Sequence, residues 1–98
     1  MIDVTQSEME LIKYILRKFV PEAELYIFGS RVNGESRKHS DLDLVIKNKL
    51  KIDFSQMTKI KEAFENSKLP YRVDVLDWFR LDDDFKKIIF EDYEKIEI

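Results

Sequence analysis

The chain has 98 residues, a net charge of −3 and no cysteine. This length suits a single hydrophobic core and leaves no room for a second catalytic domain, so we expect one domain over residues 1–98. The absence of cysteine excludes disulfides and thiolate chemistry, and one histidine excludes a His-rich metal site. Any bound metal must therefore have oxygen ligands. The acidic balance also argues against general nucleic-acid binding.

Hydropathy and composition bear on where the protein acts. No run of about 18 apolar residues is present to span a membrane, and residues 1–10 lack the basic and apolar regions of a signal peptide. With 44% hydrophobic and 38% charged residues, the composition is typical of a folded, soluble chain. We therefore expect a cytoplasmic protein.

The first predicted elements are a helix and a strand. Residues 7–19 place their apolar side chains on one stripe, which predicts an amphipathic helix. Ser7 and Glu10 have the spacing of a capping box, and Pro21 ends the pattern. The short apolar run at 24–28 then predicts a buried strand.

Three further patterns complete the fold prediction. Residues 41–46 alternate between acidic and apolar side chains, as a strand with one buried face does, and residues 71–79 predict another strand. Between them, an apolar stripe over 54–64 predicts a helix. The tail 82–98 has apolar residues at helical spacing after an acidic triplet, so we expect a final helix. The order predicts an α+β fold, a small mixed sheet with flanking helices.

The turn after the first predicted strand is the first candidate for chemistry. A short helix that begins near Ser30 would direct free backbone N–H groups outward, which suits a polyphosphate. Gly29, just before it, would let the backbone approach a phosphate without a side-chain clash. Arg31, Arg37 and Lys38 are further candidates, for compensation of phosphate charge.

Carboxylates on the next two strands form the second candidate. Asp41 and Asp43 would lie about 7 Å apart along one strand face, near enough to bind one divalent ion. They share a rim with Gly29 and Ser30 only if the first two strands are antiparallel. Asp74 is the third carboxylate and could accept the proton of an attacking hydroxyl. Magnesium is the natural ion, because a nucleoside triphosphate would supply the remaining oxygens.

Several of these signals also have a plain structural interpretation. An isolated Asp-x-Asp is usually a solvated strand face, and Asp74 could instead pair with Arg72 at the surface. Asp77 is a second candidate for the role of Asp74, although it faces the other side of a regular strand. The acidic triplet is better explained by a helix start than by a metal cluster. Trp78 and Phe79 fit either packing at the sheet edge or a partner interface.

The two acidic segments together resemble a known enzyme family. The segment GSRVNGESRKHSDLD, residues 29–43, resembles the Gly-Ser, ten residues, Asp-x-Asp signature of the DNA polymerase beta-like nucleotidyltransferase superfamily. The segment YRVDVLD, residues 71–77, resembles the strand that carries its third acidic residue. In length and layout the chain is similar to the minimal nucleotidyltransferase (MNT) proteins. The resemblance implies a polymerase beta palm-like core, with catalytic and metal-binding roles for Asp41, Asp43 and Asp74.

The resemblance also implies an activity and a partner. It implies transfer of AMP from ATP to an acceptor hydroxyl with two magnesium ions, and nucleotide binding by Gly29, Ser30 and Arg31. MNT proteins are typically paired with a small helical HEPT-domain protein, so the chain would act as an antitoxin that adds AMP to a tyrosine of that partner. Two other functions stay open. One is a non-catalytic module that neutralises the partner by contact, and the other is an RNA-end nucleotidyltransferase, which the acidic charge disfavours.

Overall fold

The computed structural model describes residues 2–98. Within that range, the helices are α1 (Gln6–Phe19), α2 (Ser30–Asn33), α3 (Phe54–Glu65) and α4 (Asp83–Glu91), and the strands are β1 (Glu24–Phe28), β2 (Leu42–Lys47), β3 (Val73–Asp77) and β4 (Tyr93–Ile96). A 3-10 turn, Trp78–Arg80, directly follows β3. Among the described residues, no helix has both the length and the apolarity required to cross a bilayer.

The four strands form one mixed sheet in the order β3-β2-β1-β4. β1 is antiparallel to both β2 and β4, while β2 is parallel to β3. The parallel pair is connected through α3, as a parallel connection requires. The predicted α+β class is therefore confirmed.

The larger core lies between the sheet and the helices α1 and α3. It is formed by fully buried side chains from all three elements, among them Ile12, Leu16, Leu42, Leu44, Ile46 and Ile60. The alternation predicted for β2 is confirmed on this face, because its three apolar side chains Leu42, Leu44 and Ile46 are all at 0% exposure.

The opposite face of the sheet is only partly covered. A second cluster is centred on Tyr26, Val45 and Ile89, so α4 packs over this face. Because strand side chains alternate, Asp43 lies on the same face as Val45, and Asp74 lies on the same face as Leu76. Asp43 and Asp74 therefore lie on the sheet face that α4 covers only in part.

The start of α1 differs from the prediction. Thr5, not Ser7, is the N-cap residue: its hydroxyl accepts from the Glu8 N–H at 3.2 Å, and the Glu8 carboxylate accepts from the Thr5 N–H at 3.0 Å. Thr5 and Glu8 have the same spacing as Ser7 and Glu10, so the sequence contains two overlapping capping boxes. The earlier one is used, so the helix begins at Gln6, one residue before the predicted start.

The C-terminal tail was predicted wrongly as helix throughout. Its first part is α4, and the acidic triplet is confirmed as a helix start, since Asp82 caps the helix by accepting from the Phe85 N–H at 2.8 Å. The chain then forms β4, which pairs with β1. Ile96 is buried in the larger core, and Ile98, just beyond β4, packs against it.

Candidate active site

The pairing of β1 with β2 brings the two halves of the signature together. Phe28, the last residue of β1, is the antiparallel partner of Asp43. Gly29 and Ser30 follow Phe28 directly, so they lie at the same rim as the two aspartates of the Asp-x-Asp segment. The antiparallel arrangement on which this prediction depended is confirmed.

Gly29 is tightly packed against an acidic side chain. Its φ of 82° lies in the region that favours glycine, and a Cβ at this position would collide with the Asp43 carboxylate. The sequence suggested that Gly29 allows phosphate approach. The structure adds a second reason, because only a residue without a side chain lets Asp43 lie over the backbone of the turn.

The short helix predicted after Gly29 is α2, which begins at Ser30. The N–H groups of Val32 and Asn33 donate to the Gly29 carbonyl at 3.0 and 3.1 Å, and no side chain caps the helix start. The N–H groups of Ser30 and Arg31 come before these bonds, where a helix leaves its donors without an intrahelical acceptor. This arrangement suits a phosphate at the Gly29–Ser30 turn.

Asp43 and Asp74 are neighbours across two parallel strands. They are register partners in the β2–β3 ladder, and Asp41 precedes Asp43 by two residues. Burial, followed by the charges of Asp74 and Asp41, raises the pKa of Asp43 from its ordinary 3.8 to about 6, although Arg72 opposes this. The neighbouring carboxylates therefore destabilise the charged form of Asp43, and a cation among them would relieve this repulsion.

The surface ion pair considered for Asp74 is formed by Asp41 instead. Its carboxylate lies 3.7 Å from Nε of Arg72, so Arg72 pairs with Asp41 and the proposed surface pair with Asp74 is not formed. In the part of the chain that the structure describes, no three carboxylate or imidazole side chains are arranged to hold a metal ion. An oxygen site for magnesium would therefore need Asp41 to leave Arg72, together with oxygens from a nucleotide and water.

Arg31 is buried, with 5% of its surface exposed. Its guanidinium donates to the carbonyls of Ser40 at 3.0 Å, Asp3 at 2.9 Å and Lys38 at 3.2 Å. These bonds hold the loop that leads into Asp41 and direct the guanidinium into the protein. The predicted contact of Arg31 with the nucleotide is not supported by this geometry.

Tyr71 extends the contacts of Arg31 to the start of β3. The Arg31 guanidinium carbon lies 3.8 Å from the centroid of the Tyr71 ring, and the Tyr71 hydroxyl donates to the Glu8 carboxylate at 3.1 Å. Burial, followed by the charge of Glu8, raises the pKa of Tyr71. Arg31 thus joins the chain before Asp41 to the chain before Asp74. Sequence analysis missed Tyr71, because nothing in the sequence pairs it with Arg31.

Asp77, the second candidate for the role of Asp74, is only 3% exposed and lies away from the rim. Its carboxylate accepts from the Ile52 N–H at 2.8 Å and the Phe79 N–H at 3.1 Å, and it lies 3.5 Å from Nε of Arg80. These contacts tie the loop before α3 to the turn after β3. Its role is therefore structural, and the preference for Asp74 stands as a prediction.

The remaining predicted residues lie in the loop between α2 and β2. Arg37 and Lys38, the further candidates for charge compensation, are both exposed there. Gly34 ends α2 in the left-handed conformation with a φ of 85°, and nothing lies within 4 Å of a Cβ built on it. Gly34 therefore serves the turn that ends α2.

Trp78 and Phe79 have different environments in the structure. Trp78 is partly buried and packs at the smaller core, with its ring centroid 6.4 Å from that of Tyr26 and 5.4 Å from that of Phe90. Phe79 is 43% exposed. Trp78 therefore has the packing role, and Phe79 is the one of the two that remains available to a partner.

Comparison with known proteins agrees with this geometry. The sequence profile of the family described as "Polymerase beta, Nucleotidyltransferase" matches residues 10–96. The chain is 43% identical, over 96 residues, to a Haemophilus influenzae protein named "Probable protein adenylyltransferase MntA", with 98% of this chain and 84% of that protein covered.

Solved structures share the fold at lower identity. A toxin-antitoxin crystal structure with AMP-PNP aligns with a TM-score of 0.76 at 21% identity, over 88% of this chain and 69% of that one. A structure of a tri-AMPylated Shewanella oneidensis HEPN toxin in complex with MNT antitoxin aligns with a TM-score of 0.65 at 17% identity, over the same shares. The profile match and the Haemophilus relative together show that this chain belongs to the polymerase beta nucleotidyltransferase family and is a nucleotidyltransferase.

Proposed function

We propose that the chain transfers AMP from ATP to a tyrosine hydroxyl of a small helical HEPT-type toxin and thereby acts as its antitoxin. The observation that carries this proposal is the single rim formed by Gly29, Ser30, Asp43 and Asp74. The relative at 43% identity is named a protein adenylyltransferase, and the structural neighbours include an AMPylated toxin bound to its antitoxin. Both support the same acceptor class.

The residues at the rim fit divalent metal chemistry. Asp41, Asp43 and Asp74 would hold magnesium, two ions in our proposal, because hard oxygen ligands and mutual carboxylate repulsion both favour a divalent cation. The metal would supply charge neutralisation on the triphosphate when bound. Ser30 and the backbone at Gly29 would contact the phosphates.

The transfer itself requires one proton acceptor. Asp74 would take the proton of the tyrosine hydroxyl, and the phenolate oxygen would form a bond to the α-phosphorus of ATP. The bond from that phosphorus to the bridging oxygen breaks, and pyrophosphate leaves with the electron pair. The products are an AMP ester of tyrosine, pyrophosphate and one proton.

Labelled ATP tests the proposal directly. The chain, ATP labelled in the α-phosphate, Mg²⁺ and a purified HEPT-type partner should give label on the partner. The double variant Asp41→Asn/Asp43→Asn should give none, and omission of Mg²⁺ should have the same effect. If the wild-type chain transfers no more label than the double variant, the proposed activity is wrong.

A contact-only antitoxin is the second candidate. It is favoured by the ion pair between Asp41 and Arg72, which occupies one of the predicted metal ligands. In that case the double Asn variant should still protect cells that express the partner. Under the transferase proposal the same variant should bind the partner and fail to protect.

A further inference from the structure

The outer edge of β3 is unpaired in the sheet. Within residues 2–98, β3 pairs with β2 alone and ends the strand order. The Leu42 N–H donates to the Arg72 carbonyl at 2.9 Å, and Leu42 is the register partner of Val73. In a parallel ladder alternate residues bond to the neighbour, so Val73 and Val75 direct their N–H and C=O groups to the outer edge.

A groove of about 450 Å³ lies beside this edge, between β3 and the C-terminal half of α3. Its apolar lining includes Phe64, Leu69, Val73 and Val75, and Asp74 also lines it. Lys61, Glu65 and Arg72 form a rim that carries charges of both signs. The groove is thus continuous with the strand that carries the proposed proton acceptor.

The two sides of β3 differ in chemistry. Val73 and Val75 face the larger core and the groove, while Asp74 faces the acidic rim next to Asp43. Any strand that adds to this edge would alternate in the same way. One of its side chains would therefore point toward Asp74 while its two neighbours pointed toward the groove.

We propose that the acceptor segment binds as an extended strand at the β3 edge, with its tyrosine toward Asp74 and apolar neighbours in the groove. This inference rests on the proposed function and adds how the acceptor is recognised. The occupant follows from the chemistry of the edge, because free backbone donors and acceptors at Val73 and Val75 are complementary to another main chain. The rim of mixed charge gives no preference for a polyanion, so the triphosphate is assigned to the Gly29–Ser30 turn instead.

Peptide titration followed by NMR tests the proposal without requiring turnover. The full chain, labelled with ¹⁵N, is mixed with Mg²⁺ and AMP-PNP, and then with a synthetic peptide whose single tyrosine has valine on both sides. Two comparison peptides carry aspartate at the flanking positions, or the same valines with N-methylated backbones. We expect the first peptide to shift the amide signals of Val73 and Val75, and both comparison peptides to bind about tenfold more weakly or worse, because each loses groove contacts or strand hydrogen bonds.

A matched pair of variants on α3 tests whether the peptide binds in the groove. Lys61 lines the groove, whereas Lys59 is exposed on the same helix and does not. Lys61→Trp should fill the groove and reduce peptide affinity, while Lys59→Trp should leave it unchanged. Equal effects of the two variants, equal binding of the three peptides, or no response of Val73 and Val75 at millimolar peptide would each overturn the proposal.

The outcome also separates this inference from the proposed function. Peptide binding at Val73 and Val75, with no label transferred to a HEPT-type partner, would support the docking edge and count against the transferase activity. Label transfer to that partner, with no peptide response at the edge, would leave the activity and overturn the docking mode. Shifts of the same amides by AMP-PNP alone would assign the groove to the nucleotide and also overturn it.

Discussion

The carboxylate of Asp43 lies where the Cβ of any other residue at position 29 would be. Gly29 has φ 82° and ψ −157°, a conformation that is almost restricted to glycine. The turn that is suited to phosphate and the carboxylate that is suited to metal are therefore in van der Waals contact. Their separation is fixed by the absence of a single side chain.

Gly29→Ala should abolish nucleotidyl transfer. The new methyl group displaces the Asp43 carboxylate, and the unfavourable backbone conformation adds a cost in the free energy of unfolding of about 1 to 3 kcal/mol. Thermal unfolding and label transfer measure the two effects. Gly34→Ala is the matched control, since that glycine also has positive φ but has open space around it, so it should lose about 1 to 2 kcal/mol and keep its activity. Activity in Gly29→Ala equal to that of Gly34→Ala would contradict the assignment.

How much of this could be predicted from sequence depends on the range of the interactions. β1, α2 and the antiparallel relation of β1 to β2 follow from local patterns and from the requirement that Gly29 and Asp43 share one rim. The register of Asp43 with Asp74 completes what the two acidic segments indicated. β1 and α2 were accessible because each depends on spacing along the chain, whereas the strand order and the register of Asp43 with Asp74 were not, because α3 separates the two strands.

Sequence patterns are insufficient where contacts between distant residues decide the structure. The tail after α4 forms β4 because β1 offers a free edge, which helical spacing in residues 82–98 does not reveal. Arg31 follows the Gly29–Ser30 turn in sequence, yet its guanidinium donates inward to the carbonyls of Asp3, Lys38 and Ser40. A guanidinium satisfied by three carbonyls cannot be read from the residues that surround it in the sequence.

Asp43→Asn should stabilise the protein at neutral pH in the absence of metal. The folded state holds its proton up to about pH 6 while an unfolded aspartate loses it near 3.8, so wild-type stability falls as pH rises through that window. Asparagine removes this penalty, which amounts to about 1 to 2 kcal/mol after a discount for partial exposure. Denaturant unfolding at about pH 4 and about pH 7.5 should show a gain only at the higher value. A gain of the same size at both values would rule out the raised pKa of Asp43 as its cause.

Arg72→Ala should strengthen binding of Mg²⁺ in the absence of nucleotide. Arg72 lies 3.7 Å from the Asp41 carboxylate and competes with a cation for it. Exposed pairs of this kind contribute at most about 1 kcal/mol, so the gain in affinity should be no more than about fivefold. Calorimetric titration with MgCl₂ measures it. Arg37→Ala, which removes an exposed arginine of the nearby loop, provides the comparison, and an equal change in both variants would indicate a general charge effect.

The start of α1 offers a test with two overlapping capping boxes. Thr5→Ala should cost about 1 kcal/mol of unfolding free energy, because the Glu8 N–H loses its acceptor. Ser7→Ala should cost much less, since Ser7 lies inside the helix and, within residues 2–98, its hydroxyl contacts the Thr5 hydroxyl alone, at 3.3 Å. Urea unfolding of the two variants measures the difference. A larger loss for Ser7→Ala would place the cap at Ser7, where its capping-box spacing with Glu10 had suggested it.

Arg31→Met should destabilise the protein by about 2 to 4 kcal/mol, because it leaves three carbonyl oxygens without a donor. Arg31→Lys should lose less unfolding free energy than Arg31→Met but should still be less stable than the wild type. Its ammonium group keeps the charge, but it cannot donate to three carbonyls at once as a guanidinium does, nor stack as a plane on Tyr71.

The exposed Arg37 provides the control, and Arg37→Met should change stability by less than about 0.5 kcal/mol. In folded Arg31→Lys, the loop before Asp41 and the chain before Asp74 lose part of their common support, so kcat for label transfer should fall with little change in KM for ATP. A rise in the KM for ATP at constant kcat would instead mean that Arg31 contacts the nucleotide, as the sequence resemblance implied.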